Sequence, residues 1–430
     1  MKKVLSAVVA VGALAIGVSA CSSKSSGAAP AAPTAQQETL VYHSSWKAEE
    51  PQGKIFQAIL DDFARAHNVK LDVKFVGPDR GEDLAAEMAA GKGPDLFDAS
   101  TGNIPALRAQ NLLAPLEDVL PAQVPGEGKT VAEVLPDSVK AASSDEKGLA
   151  FIPHTVVSTA VWYDAHRNPE MAINPPRTWD EMISYLEIEK STDKIGIGQD
   201  GAVPSANAYW FYSALVRAAG PGSLMGLSTD AANWEKPEVL TAAEQVEQLV
   251  KGGYFQKDHM TTQHPDAQDD WARGGSMLNI NGTWLAAEVR PKTPAEAIIR
   301  SFQLPVGGKE SVEVGSLGWA VNAKGKNVAT AKKFLAFAVQ SKYLTKISTE
   351  ALNIPARADV PAPEFLAEVQ KAIASATTVH KPYDAATADK AFWDDMFLPL
   401  DDLLLSGKIS AEEFVQQGKA KSAEYIANKG

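Results

Sequence analysis

The sequence contains one cysteine, Cys21, in 430 residues. That excludes an intrachain disulfide and a cysteine-built zinc site. Basic charge is also scarce: 41 Lys and Arg stand against 53 Asp and Glu, a formal net charge of −12. A nucleic-acid partner needs a basic face to neutralise phosphates, so none is expected. Catalytic motifs are missing too. There is no Gly-x-Ser-x-Gly elbow and no His-Glu-x-x-His pair, and the seven histidines are scattered. Gly126-Glu-Gly128-Lys129-Thr130 has the tail of a phosphate-binding loop, but Gln123 stands where that loop requires glycine. His264, Asp266, Asp269 and Asp270 form the densest group of possible metal ligands and read as a solvated acidic loop. No pair of carboxylates stands out as a glycosidase pair. No cofactor is expected.

What is present begins with an address. Lys2 and Lys3 precede an apolar run from Val4 to Val18, and small residues Ser19 and Ala20 lead to Cys21. This is the layout of a secretory signal. The run is shorter than the roughly twenty residues a membrane span needs. Ser22 to Gln37, rich in Ser, Gly, Ala and Pro, cannot bury apolar area and reads as a tether. At this length, two domains are expected for the remainder.

The body alternates strand and helix patterns. Thr39–His43 is β-rich, and Lys54–His67 sets Ile55, Phe56, Ile59, Leu60 and Phe63 at helical spacing. Val69–Phe75 alternates strictly, Glu82–Ala90 is helical, and Leu96–Phe97 is a brief strand. This βαβαβ order predicts an α/β fold with a mainly parallel sheet. Thr178–Glu181, Thr241–Glu244 and Ser410–Glu413 read as capping boxes that open helices. Met277–Asn281 reads as a strand running into an Asn-Gly turn, and Val312–Val321 as a strand pair or one long broken strand.

The informative side chains are indoles near strand ends: Trp46 after the first strand, Trp284 after the Asn-Gly turn, Trp319, and Trp210 in an aromatic segment. An exposed indole asks for a partner. In open α/β sheets ligands bind beyond the carboxyl ends of the strands. A flat aromatic face suits the C–H face of a sugar, with neighbouring Asp and Asn to take its hydroxyls.

Several segments in order carry a resemblance. Val18-Ser19-Ala20-Cys21 resembles a bacterial lipobox. Gly93-Pro94-Asp95-Leu96, Gln110–Leu116, Trp162-Tyr163-Asp164, Pro175–Glu181, Gly274–Trp284, Ala331–Leu335 and Asn353–Ala356 match family landmarks in family order. From about residue 39 onward the chain resembles the solute-binding lipoproteins of bacterial ABC importers, in the carbohydrate-binding, maltose-binding-like branch. The resemblance implies two α/β lobes, each a mainly parallel sheet flanked by helices, joined by a three-strand hinge that closes over a ligand. It implies residues 1–20 as signal peptide, 21–38 as tether, 39–152 with 305–352 as one lobe, and 153–304 with 353–430 as the other. The hinge crossings are expected near Ile152-Pro153, Phe302–Pro305 and Leu352–Pro355.

Position by position, the resemblance implies ligand contacts from Trp46, Lys47, Asp98, Asn103, Trp210, Trp284 and Trp319. Maltose-type members carry Trp and Asp-Arg after the Gly-Pro-Asp strand. This chain departs from that pattern with Ala99, Gly102 and Asn103, so the resemblance does not by itself imply maltose as the ligand. The implied function is non-enzymatic: a monomer anchored by lipid at Cys21 on the outer face of the cell membrane, passing a mono- or oligosaccharide to permease subunits. Alternatives are the same fold binding a polyamine, an amino acid derivative or a metal chelate, and an exported glycoside-acting enzyme.

Overall fold

The computed structural model describes residues 37–77 and 81–429. The signal, the tether and Cys21 lie outside the described residues. Leaving aside a two-residue hairpin near Leu149, the strands in chain order are β1 (Thr39–Ser44), β2 (Lys70–Phe75), β3 (Leu96–Ser100), β4 (Ile152–Val157), β5 (Thr159–Asp164), β6 (Ile195–Ile197), β7 (Ser276–Gly282), β8 (Ile299–Phe302), β9 (Val312–Glu313), β10 (Gly315–Val321), β11 (Ile354–Pro355) and β12 (Val379–His380). They form a six-stranded sheet in the order β11-β4-β10-β3-β1-β2, a four-stranded sheet β8-β5-β7-β6, and a parallel pair β9-β12.

Local chemistry explains the first lobe. Proline at the first position opens the helix Pro51–His67, and Asn68, left-handed at φ 54°, closes it. The five residues spaced for one helical face are all buried in it. β2 is an edge strand and keeps its alternation, with Lys70, Asp72 and Lys74 exposed. The boxes at Thr178 and Ser410 do open helices, Trp179–Ser191 and Ala411–Lys429. The expected box at Thr241 does not. Its helix begins earlier, at Pro237, which is suited to a first turn, so Thr241 lies one turn inside.

The sheets are mixed rather than mainly parallel. β1 is parallel to β2 and β3, and β6 to β7. β10 runs antiparallel to β3 and β4, and β5 antiparallel to β7 and β8. The cause is the connectivity between sheets. β5 and β10 each begin at a passage from the other sheet, so each runs away from it, against neighbours that run toward it.

Three passages join the sheets. The first is at Ser158, between β4 and β5. Ile152–Val157, beyond the crossing expected at Ile152-Pro153, still pairs with β10 in the first sheet. The second follows β8. The third leaves after Ala356, whose N–H still bonds the His154 carbonyl (3.1 Å), and runs by way of β12. One apolar core surrounds the first sheet and takes in Ala160 and Trp162 of β5. A second core packs Val161 and Tyr163, on the other face of β5, against the helix Pro204–Ala219 and the C-terminal helices.

Candidate functional site

Two groups of residues sit at strand carboxyl ends. In the first lobe, Asp98 of β3 gathers the end of β1. Its carboxylate accepts from Tyr42 Oη (2.5 Å), Ser44 Oγ (2.9 Å) and the Ser45 N–H (2.8 Å). Burial pushes the Asp98 carboxyl up to about 6, with the three donors holding it partly back. The same burial, with Asp98 beside it, raises the Tyr42 phenol. Trp46 follows, half-buried against the first core, its N–H on Ser44 Oγ (3.2 Å). Lys47 is exposed, and its N–H bonds Glu50 Oε2 (2.6 Å). Asn103 turns its Oδ1 back to the Ser100 N–H (2.9 Å), so that oxygen closes a turn.

In the second lobe a cavity of about 220 Å³ opens beside Trp284. Its wall includes Gln199, Asp200, Tyr209, Asn279, Asn281 and Tyr383. Trp284 is 37% exposed. Its position follows from the turn before it. Asn281 Oδ1 accepts the Gly282 N–H (2.8 Å), and Trp162 donates its indole N–H to the Asn281 carbonyl (2.9 Å). The Thr283 N–H bonds the Ser158 carbonyl (2.9 Å), which ties the turn to the first passage. The indole folds back over Gly282, where a Cβ would come within 2.2 Å of the ring.

The polar wall is built from behind. Gln199 accepts the Trp210 indole N–H (3.0 Å) and donates to Asn207 Oδ1 (2.9 Å). Asp200 accepts the N–H groups of Ala267 (2.7 Å) and Gln268 (3.3 Å), and His264, also in the wall, approaches it at 3.5 Å. Burial raises the Asp200 carboxyl, and those two N–H groups and His264 offset part of the rise. Tyr383 stacks on Tyr209 with centroids 5.1 Å apart and planes at 19°. Tyr383, Asp384 and Ala385 are consecutive left-handed residues at φ 49°, 52° and 63°. The buried Asp384 carboxylate holds that turn by accepting the N–H groups of Gly222, Leu224 and Met225.

Two expected contacts are corrected. Trp210 is 1% exposed, with its ring edge on Phe255, and supports Gln199 from the core. Its neighbour Tyr209 reaches the cavity instead, because one step along a helix turns a side chain by about 100°. Trp319 is 0% exposed, packed among Phe56, His154 and Phe334 on the helix-covered face of β10. Neither ring can stack on a solute from that position. Sequence reasoning missed Gln199, Asp200, Asn279 and Tyr383 as wall residues. Tyr209 was one residue from the aromatic chosen, and His264 was assigned to solvent. The phosphate-loop tail is structural: Glu127 pairs with buried Arg357 and Lys129 with Asp359.

A family model described as bacterial extracellular solute-binding protein matches residues 47–344. The chain belongs to that family. Among its relatives, the diacetylchitobiose binding protein NgcE of Streptomyces coelicolor is 24% identical over 236 residues, 54% of this chain and 50% of that one. The match thus spans half of that protein. The multiple sugar-binding protein of Streptococcus mutans is 22% identical over 307 residues, 67% of this chain and 68% of the other. Among solved structures, the bacterial solute receptor AcbH, described as preferring β-D-galactopyranose, superposes with a TM-score of 0.74 at 17% identity, over 91% of this chain and 98% of that one. The two-lobed α/β fold of this solute-binding protein is therefore the fold of its family.

Proposed function

We propose that this solute-binding protein captures a neutral mono- or oligosaccharide between its lobes and delivers it to the permease of an ABC importer. The observation that carries the reading is the cavity in which the part-exposed Trp284 indole stands beside Asp200, Asn279 and Asn281. An aromatic face and convergent hydrogen-bonding groups are what a pyranose offers itself to. The named sugar ligands of the relatives support the same class. The family's binding role supports a non-enzymatic protein acting outside the cell, and the lipobox-like Val18–Cys21 supports a lipid on Cys21 that holds it, as a monomer, at the membrane. Trp46, Lys47 and Asp98 would contribute from the first lobe, with Asn103 behind them as a turn-closing residue. In this reading the two lobes meet at the three passages, with the first boundary at Ser158 instead of residue 152 and the third after Ala356 instead of residue 352.

Thermal shift against a panel of neutral sugars tests this. At least one sugar should raise the midpoint, and Trp284→Ala should abolish that rise. No rise with any sugar would overturn the reading. Asp200 in the wall favours a second reading, a cationic solute such as a polyamine. Its binding would weaken steeply with salt, whereas a neutral sugar's would not.

A further inference from the structure

Asn279 is 3% exposed and lies in the wall of the Trp284 cavity. Its amide Nδ2 donates to the Gly198 carbonyl at 2.9 Å. A carbonyl only accepts, so this bond fixes which end of the amide is nitrogen. The other end, Oδ1, is buried without a hydrogen-bond partner in the protein. Asn281, two residues along the same strand, differs: its amide donates to Gln268 and its oxygen accepts the Gly282 N–H. Gln199 is likewise engaged at both ends. Asn279 is thus the wall amide that keeps one acceptor uncommitted, and buried acceptors are nearly always paired in a working state.

From this we infer that Asn279 is a specificity-determining residue whose Oδ1 accepts one particular hydroxyl of the bound sugar. The inference rests on the sugar reading above and deepens it by assigning the contact that selects among sugars. The backbone supports the assignment. Asn279 sits on β7, paired with Trp162 of β5, and Trp284 follows the turn in which that strand ends. The Gly198 bond holds the amide so that its uncommitted end is an acceptor, the group that a sugar hydroxyl can donate to. A site built to bond a hydroxyl rejects the analogue lacking it far more strongly than an apolar wall does.

The test uses the full chain, the tightest sugar from the panel and its set of monodeoxy analogues, by calorimetric titration. In the wild type, one analogue should bind about 10- to 100-fold more weakly than the parent sugar. Asn279→Leu should weaken the parent by a similar factor and leave that analogue unchanged, so that the preference for the hydroxyl disappears. Asn279→Asp keeps an acceptor oxygen and should retain part of the preference, which covers the case in which the leucine variant does not fold. A leucine variant that binds like the wild type, or one that weakens every analogue equally, overturns the inference and leaves the sugar reading standing. A wild type that binds no sugar overturns both.

Discussion

At the scale of single residues, the site depends on one missing side chain. Gly282 has no Cβ, and the Trp284 ring occupies the space where one would be. Gly282→Ala should push the indole off its seat. Sugar affinity should then fall at least 10-fold while the apo midpoint moves little, since the ring is part-exposed. Unchanged affinity in isothermal titration would show that the ring does not need that seat. The buried indoles carry the opposite signature. Trp319 fills a pocket among three aromatic rings, so Trp319→Ala should cost about 3–5 kcal/mol in urea unfolding. Trp210→Phe should lose the Gln199 bond and act on binding only through Gln199. The contrast separates the indoles that fill the cores, Trp210 and Trp319, from the part-exposed Trp284. The burial of Trp210 and Trp319 is decided by rings distant in sequence, which local residues do not reveal.

At the scale of elements, the legible parts are those specified by neighbours in sequence. The helix Pro51–His67, the edge strand β2 and the capping boxes at Thr178 and Ser410 each depend on residues within a turn or a pleat. The exposure of Trp284 beyond the strand end follows from a local signal of the same kind, its Asn-Gly turn. The phase of Pro204–Ala219 was not. Its segment Tyr209-Trp210-Phe211-Tyr212 is aromatic all round, and only the packed core decides which ring faces the cavity. The turn at Tyr383–Ala385 left no signal at all, because it has no glycine. It is held from a distance by Asp384 reaching residues 222–225. Non-glycine residues in the left-handed region each cost about 1–2 kcal/mol, so the turn needs that support. Asp384→Ala removes the acceptor of three N–H groups. It should lower stability by about 1–3 kcal/mol and weaken sugar binding by loosening Tyr383 from Tyr209. A variant with the wild-type midpoint and affinity would show that the turn is held by other contacts.

At the scale of the whole molecule, all three passages deliver a side chain to one buried cluster. Thr159 from the first donates to Glu313 of the second (2.8 Å), Tyr212 also donates to Glu313, and His380 from the third bonds the Tyr212 oxygen (2.9 Å). Tyr212 spends its only proton on Glu313, so His380 donates from Nε2. Burial, with Arg217 nearby, lowers His380 to about 3, and burial alone lowers His154 to about 3. An unfolded chain would protonate both near 6.5. As pH falls from 6.5 toward 3, the unfolded state therefore takes up protons that the folded state refuses. Each histidine then removes about 1.4 kcal/mol of stability per pH unit. Asp98 acts in the opposite sense. Its folded value of about 6 lies above the unfolded 3.8, so between those values the folded state holds a proton the unfolded state lacks, and acidification stabilises. Burial raises Glu313 and Asp401 in the same sense as Asp98, so the informative quantity is the difference between variants. Urea unfolding at pH 6, 5 and 4 should give His154→Phe a shallower acid decline than the wild type, by about 1.4 kcal/mol per pH unit. Phenylalanine suits the seat between Phe56 and Trp319 and carries no proton. Asp98→Asn should decline more steeply by a similar amount. Parallel curves for the wild type and His154→Phe would mean that His154 titrates alike in both states and that its burial does not govern acid stability.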